Sequence, residues 1–201
     1  GVSWTLAVAL QFVIFEVGVL GLGWYYGTWD AVAAGTVAVV IAAIGSVEMH
    51  RLGAKNRLLG TPPEHKRLLF GSSIEIVLGV LAFIALVTYL FAWDGTLIDR
   101  LFGAEPPIPV VYLTLLVLWD LTYRIGTSWW SAVVALWRAV NVDLSPDEQA
   151  TVRRLDAENI GFSVIQLALV PFLLTEPVLL GAVVGHVIAV ALVCGAAILL
   201  T

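Results

Sequence analysis

Six times along this chain, apolar residues run for about eighteen to twenty-five positions, the length a helix needs to cross roughly 30 Å of hydrocarbon. The runs fall at about 4–26, 30–51, 72–92, 109–133, 158–175 and 177–200. Lipid offers no partner to a backbone N–H or C=O, so an apolar run without strand-like alternation can enter it only as a helix. Little of the 201-residue chain is left over. It is 60% hydrophobic and 12% charged, against roughly 25% charged in a soluble domain. The expected fold is all-α, a single integral-membrane domain over 1–201 that forms a six-transmembrane-helix bundle in the cell membrane.

The connections have recognisable chemistry. Gly27-Thr28-Trp29-Asp30 reads as a tight turn. Asp94-Gly95 opens a longer loop that ends in Pro106, Pro107 and Pro109, which favour an extended entry to the fourth span. Glu176-Pro177 leaves almost no loop, so the last two spans should pair as an antiparallel hairpin. Thr61-Pro62-Pro63-Glu64 and Ser145-Pro146-Asp147-Glu148 each offer a cap, a proline at the first helical position and a Glu at N3. Each should open a short cytoplasmic amphipathic helix. Ser72-Ser73-Ile74-Glu75 reads as a third capping box, which gives Glu75 a local task.

Charge asymmetry gives a direction. Arg51, Lys55, Arg57, Lys66, Arg67, Arg138, Arg153 and Arg154 follow the second and fourth spans, whereas the opposite side holds only Arg100. By the positive-inside rule both termini are cytoplasmic, and the basic residues there attract anionic lipid headgroups. The first apolar run is too long for a signal peptide and carries Glu16. A net charge of −5 with two Lys among ten basic residues fits a salt-adapted or GC-rich prokaryote. Cys194 stands alone, so no intrachain disulfide forms.

Polar residues inside the spans are the functional clue. Asp120, Tyr123, Arg124, Thr127, Ser128 and Ser131 stand at i, i+3, i+4, i+7, i+8 and i+11, one face of a helix that is otherwise Leu, Val, Ile, Ala and Trp. Charges at this depth cost at least a few kcal/mol each and face protein or a water-filled cavity. At about 1.5 Å per residue, Glu16 lies roughly 18 Å along the first span, a depth comparable to that of Asp120, Gln166 and His186. One Arg, two carboxylates, an amide and a His would then share one mid-membrane site whose proton count can change. A second group, Glu48, His50, Glu75 and Glu158, lies near the inner surface, where capping and snorkelling explain most of it. His65 sits among charged residues and is read as solvated.

These residues carry a transport reading: a channel or carrier, open to proton coupling, whose path leads from Glu16, Asp120 and Arg124 inward along Thr127, Ser128 and Ser131. Two other readings stand beside it. Asp120 and Arg124, at i and i+4, can simply neutralise one another, in a non-catalytic subunit that uses charges for packing. An intramembrane enzyme on a lipid or isoprenoid would use Asp120 or His186 as its acid or base.

No cofactor is expected. Glu-x-x-His and His-Glu-x-x-His are absent, His50 and His186 lie at different depths for a bis-His haem, and no span holds a Lys for a retinal Schiff base. Gly-x-Ser-x-Gly and nucleic-acid signatures are absent too. Gly181 and Gly185 form a small-xxx-small face suited to a neighbouring helix, within the chain, in a homo-oligomer or in a partner subunit. Pro171 should kink the fifth span near Gln166 and Leu167.

Overall fold

The computed structural model describes residues 3–201. Helix α1 spans Trp4–Tyr26, α2 Trp29–Leu58, α3 Pro63–Phe70 and α4 Ile74–Thr88, the last continued by a π-helical turn over Tyr89–Trp93. Helix α5 spans Thr96–Phe102, α6 Ile108–Asn141 and α7 Pro146–Ile165. A 3₁₀ turn over Gln166–Leu169 leads into the short α8, Val170–Leu173, and α9 spans Pro177–Leu200. No strand occurs among the described residues. Five stretches, Trp4–Tyr26, Trp29–Leu58, Pro63–Trp93, Ile108–Asn141 and Pro177–Leu200, are long and apolar enough to cross a membrane.

The expected run 158–175 is not one continuous helix. Its first part prolongs α7, and its rest is the 3₁₀ turn and α8. The break lies just before Pro171, whose ring cannot sit beneath a continuing α-helical carbonyl ladder. The second capped helix therefore does not stand alone: Ser145 opens α7 with a complete capping box, and α7 continues inward to Ile165. The first box does not form. Pro62 occupies the cap of α3, and the Thr61 hydroxyl instead lies 3.1 Å from His65 Nδ1. Nor does the third form, because Ser73 takes a left-handed backbone (φ 57°) and Ser72 bonds the Leu68 carbonyl. The expected loop after Gly95 contains α5.

Helix α6 is the centre of the bundle, packed against α1, α2, α3, α4, α7 and α9. Small residues make this possible. A Cβ on Gly126 would stand 2.8 Å from the Gly79 nitrogen, so α4 and α6 cross backbone to backbone. Ala132, Val190 and Cys194 close the α6–α9 contact, and Ile41, Leu121 and Phe162 fill the space between α2, α6 and α7. The outward faces of α1 and α4 are exposed Leu, Val and Ile, as a lipid-facing surface requires.

The two ends of the bundle differ. One end gathers the start of α1, the end of α2, α3, the start of α4 and the start of α7, and there Glu148 accepts from the Gly60 amide at 2.9 Å. At the other end Arg100 on α5 donates to the Phe172 carbonyl at 3.1 Å and to the Thr175 hydroxyl.

Candidate polar cavity

The polar face of α6 is anchored at Asp120. Arg124, one turn along, places Nη2 2.6 Å from Asp120 Oδ1 and Nε 3.3 Å from Oδ2. Gln11 on α1 donates to the same Oδ2 at 3.1 Å. The Arg124 stem crosses α2 where it has no side chain: a Cβ on Gly45 would meet Arg124 Cδ at 2.6 Å and the Phe162 ring at 2.8 Å. Glycine at position 45 is what lets the guanidinium reach its place.

Past Arg124 the bundle opens into a cavity of about 560 Å³. Tyr123, Arg124, Thr127 and Ser131 line its α6 wall. Gln11, Ser46, His50 and Asn56 contribute from α1 and α2, His65 from α3, Glu75 from α4, Arg138 from the end of α6, and Asp156 and Asn159 from α7. The exposed Trp4, Arg57 and Phe70 also line it, so the cavity reaches the surface at the end where α1 begins. Trp4 and His50 stack there, ring centres 3.9 Å apart.

Not every residue of the α6 stripe faces this space. Ser128 is fully buried against α7, donating to Asn159 Oδ1 at 2.8 Å and accepting from Asn159 Nδ2 through its carbonyl at 3.0 Å. Thr127 gives its hydroxyl to the Tyr123 carbonyl at 2.9 Å.

The single mid-membrane cluster expected from depth divides into three places. Asp120 and Arg124 stay with Gln11. Glu16 pairs with the Thr36 hydroxyl at 2.7 Å between α1 and α2 and does not line the cavity. Gln166 and His186 line a separate, mainly apolar cavity of about 330 Å³. Depth along a span fixes height only, and these side chains leave their helices in different directions. Near the open end, Glu48 lies 3.9 Å from Arg51, and Glu158 gathers Arg51, Lys55 and Arg154. Glu75 has no capping task; it lines the cavity with Oε2 buried and without a partner among the described residues.

His65, read as solvated, is fully buried, its ring facing Trp137 in a parallel arrangement. Its charged neighbours concealed this, but α3 lies flat on α6, where Trp130 Nε1 donates to the Leu68 carbonyl at 2.8 Å.

The pair that sequence reading missed is Arg138 with Asp156. Nη2 and Oδ2 are 2.6 Å apart, with side chains 3% and 5% exposed. Burial pushes the Asp156 carboxyl up to about 6, against the pull of Arg138. Both residues had a legible signal. Arg138 stands eighteen positions after Asp120, five full turns on the same face. Asp156, Asn159, Ser163 and Gln166 stand at i, i+3, i+7 and i+10 and are all buried, a polar stripe along α7 that runs into the 3₁₀ turn.

Three polar atoms of nearly or fully buried cavity residues have no partner among the described residues: Asn56 Oδ1, His65 Nε2 and Arg138 Nε. Such atoms cost free energy while they stay unpaired. The open polar lining beside them is suited to holding a hydrated polar solute.

Fold and site together define a helical protein of membrane-crossing dimensions, built round one polar helix, with a polar cavity entering from one end. The chain belongs to a family described as a family of unknown function (DUF7530), whose model matches residues 1–197. No curated protein and no solved structure matches it.

Proposed function

We propose that this chain is a small membrane transport protein, a channel or carrier, and that the 560 Å³ cavity is its solute vestibule. The observation that carries the reading is the run of Ser131, Thr127 and Arg124 along one wall, from the open end to a charged group deep in the bundle. A packing pair alone requires no such space beside it. In this reading 158–175 forms a sixth, discontinuous crossing, supported by the tie of Glu148 to Gly60 before it and of Arg100 to Phe172 at its far end. Broken helices at a midplane are tolerated where they face protein or a cavity. The basic end is cytoplasmic, as are both termini, and the vestibule opens inward.

Arg124, held by Asp120 and Gln11, is the deepest charge that a solute meets. Arg138 and Asp156 stand nearer the mouth, where burial raises the Asp156 carboxyl above its ordinary value against the pull of Arg138. Glu16 and His186 lie off this path.

Flux in proteoliposomes tests the proposal, with small anions, small cations and protons assayed separately. Arg124→Gln and Asp120→Asn should lower the flux that the wild type supports, and Glu16→Gln should leave it unchanged. Unchanged flux in folded Arg124→Gln and Asp120→Asn variants would remove the transport reading.

One observation favours the subunit reading. Asp120 is already satisfied by Arg124 and Gln11, while Gly181 and Gly185 on α9 are exposed with nothing of the chain within 4 Å of a Cβ placed there. Native mass spectrometry separates the two: a stoichiometric complex with an unrelated membrane chain supports the subunit, and a homo-oligomer or monomer supports transport.

A further inference from the structure

On the opposite half of the bundle from the polar vestibule lies the second cavity, about 330 Å³. Its walls are almost wholly apolar, drawn from α1, α2, α4, α6 and α9. Helix α5 covers it with Leu97, Ile98, Leu101 and Phe102, so the amphipathic turn after Gly95 acts as its cover. Pockets of this size accept small organic molecules, and about 30 Å³ per water-sized group gives room for roughly ten such groups.

Besides Thr28, Thr114 and Thr122, two larger polar side chains interrupt the apolar wall. Gln166 is fully buried, and neither its Nε2 nor its Oε1 has a partner among the described residues. His186 presents a buried Nε2 in the same state. Both line this cavity, one from the 3₁₀ turn and one from α9, which are in contact. A buried amide with both ends unpaired is costly, and a purely structural role would have given it a partner or an apolar replacement. The 3₁₀ turn ahead of Pro171 sets Gln166 among the lining residues of the cavity.

We infer that this cavity is a binding site for a neutral amphiphile, an apolar body carrying one hydroxyl, with the hydroxyl seated between Gln166 and His186. A hydroxyl both donates and accepts. It accepts from Gln166 Nε2 and donates to an unprotonated His186 Nε2, so one group meets two of the three atoms that the protein leaves open. A charged headgroup finds no counter-ion among the lining residues, since none of them is Lys, Arg, Asp or Glu. A plain hydrocarbon fills the walls and leaves the amide unmet.

The test uses the full chain in nanodiscs with a diazirine analogue of geraniol, a ten-carbon prenol, as photolabel. Crosslinks should map to cavity residues of α5 and α9, such as Leu101 and Leu179. Unlabelled geraniol should compete, and the saturated hydrocarbon of the same skeleton should not. In Gln166→Leu the specific labelling should fall about tenfold, the value of roughly one lost hydrogen-bonded pair. The same variant without ligand should melt at or above the wild-type temperature, because it removes an unpaired buried amide. Labelling spread equally over lipid-facing Leu10, Ile14 and Val17, equal competition by the hydrocarbon, or undiminished labelling in Gln166→Leu each overturns the inference. So does a Gln166→Leu protein that melts well below wild type, which would make the amide structural. Should Gln166→Leu not fold, Ala182→Phe fills the cavity from α9 and must abolish competed labelling. Loss of polar-solute flux in the vestibule variants leaves this result untouched.

Discussion

Replacing Arg138 by Met should destabilise the protein in a way that depends steeply on pH. The side chain keeps an apolar stem and loses the guanidinium, leaving Asp156 alone in a site where its carboxylate is 5% exposed. Removing one member of a buried ion pair costs about 3–5 kcal/mol, because the other charge remains buried. Asp156 escapes part of that cost by keeping its proton. In the wild type, burial raises its pKa from 3.8 to about 6. A raised folded-state value means this group favours the fold most below its unfolded value, and that contribution is lost as pH rises toward 6. Above pH 6 the wild-type carboxylate is ionised beside Arg138 and the loss stops growing. Without Arg138 the acid stays protonated, and the loss continues at about 1.36 kcal/mol per pH unit. Two units on, at pH 8, the variant is therefore about 2.7 kcal/mol worse off than at pH 6 on this account alone. Denaturant titrations of the detergent-solubilised protein, followed by tryptophan fluorescence at pH 5, 6.5 and 8, measure it. The double variant Arg138→Met/Asp156→Leu should recover most of the stability and lose the pH dependence. An equal loss at pH 5 and pH 8 would refute the reasoning.

Gly126→Val puts a branched side chain where a Cβ already lies 2.8 Å from the Gly79 backbone, so α4 and α6 must part; a loss of about 1–3 kcal/mol or more is expected in thermal unfolding. Gly45→Ala should push Arg124 off Asp120 and lower flux as far as Arg124→Gln does, while leaving the protein folded; normal flux in Gly45→Ala would contradict that placement. Glu148 is held below the usual carboxylate range by hydrogen bonds from the Ser145 hydroxyl and the Gly60 and Ser145 amides. Its contribution is present above the ordinary carboxylate pKa and lost as pH falls through the depressed folded value. Protection of the Gly60 amide, taken relative to its intrinsic exchange rate at each pH, should therefore fall at acid pH, and at all pH values in Glu148→Ala.

Most of the helical framework was legible because apolar runs in a membrane leave the backbone no alternative. The polar face of α6 was legible from spacing alone. The run expected as the fifth span was harder: its composition is apolar, but ahead of Pro171 it divides into the end of α7, a 3₁₀ turn and α8. Helix α5 hid between Gly95 and the prolines, in a segment too short for its periodicity to stand out. The site was legible along one helix and illegible between helices. Glu16, Gln166 and His186 share a height with Asp120, yet height says nothing about azimuth, and packing sends them to Thr36 and to the apolar cavity. His65 shows the opposite case, a residue among Glu64, Lys66 and Arg67 that burial on α6 withdraws from water. Capping sequences misled twice, at Thr61 and Ser73, because the chain there turns for tertiary reasons that local pattern cannot carry.

Water in the vestibule is the claim on which the functional proposal rests, and thiol labelling probes it residue by residue. The native Cys194 is fully buried and should stay silent. Cysteine is placed singly at Thr127, Ser131 and Ser128, and each protein is treated with a membrane-impermeant cationic methanethiosulfonate from the cytoplasmic face of inverted vesicles. Thr127→Cys and Ser131→Cys should react, and Ser128→Cys, one position from the first, should not. Silence at positions 127 and 131, or equal reaction at all three, would contradict a hydrated vestibule along this face of α6.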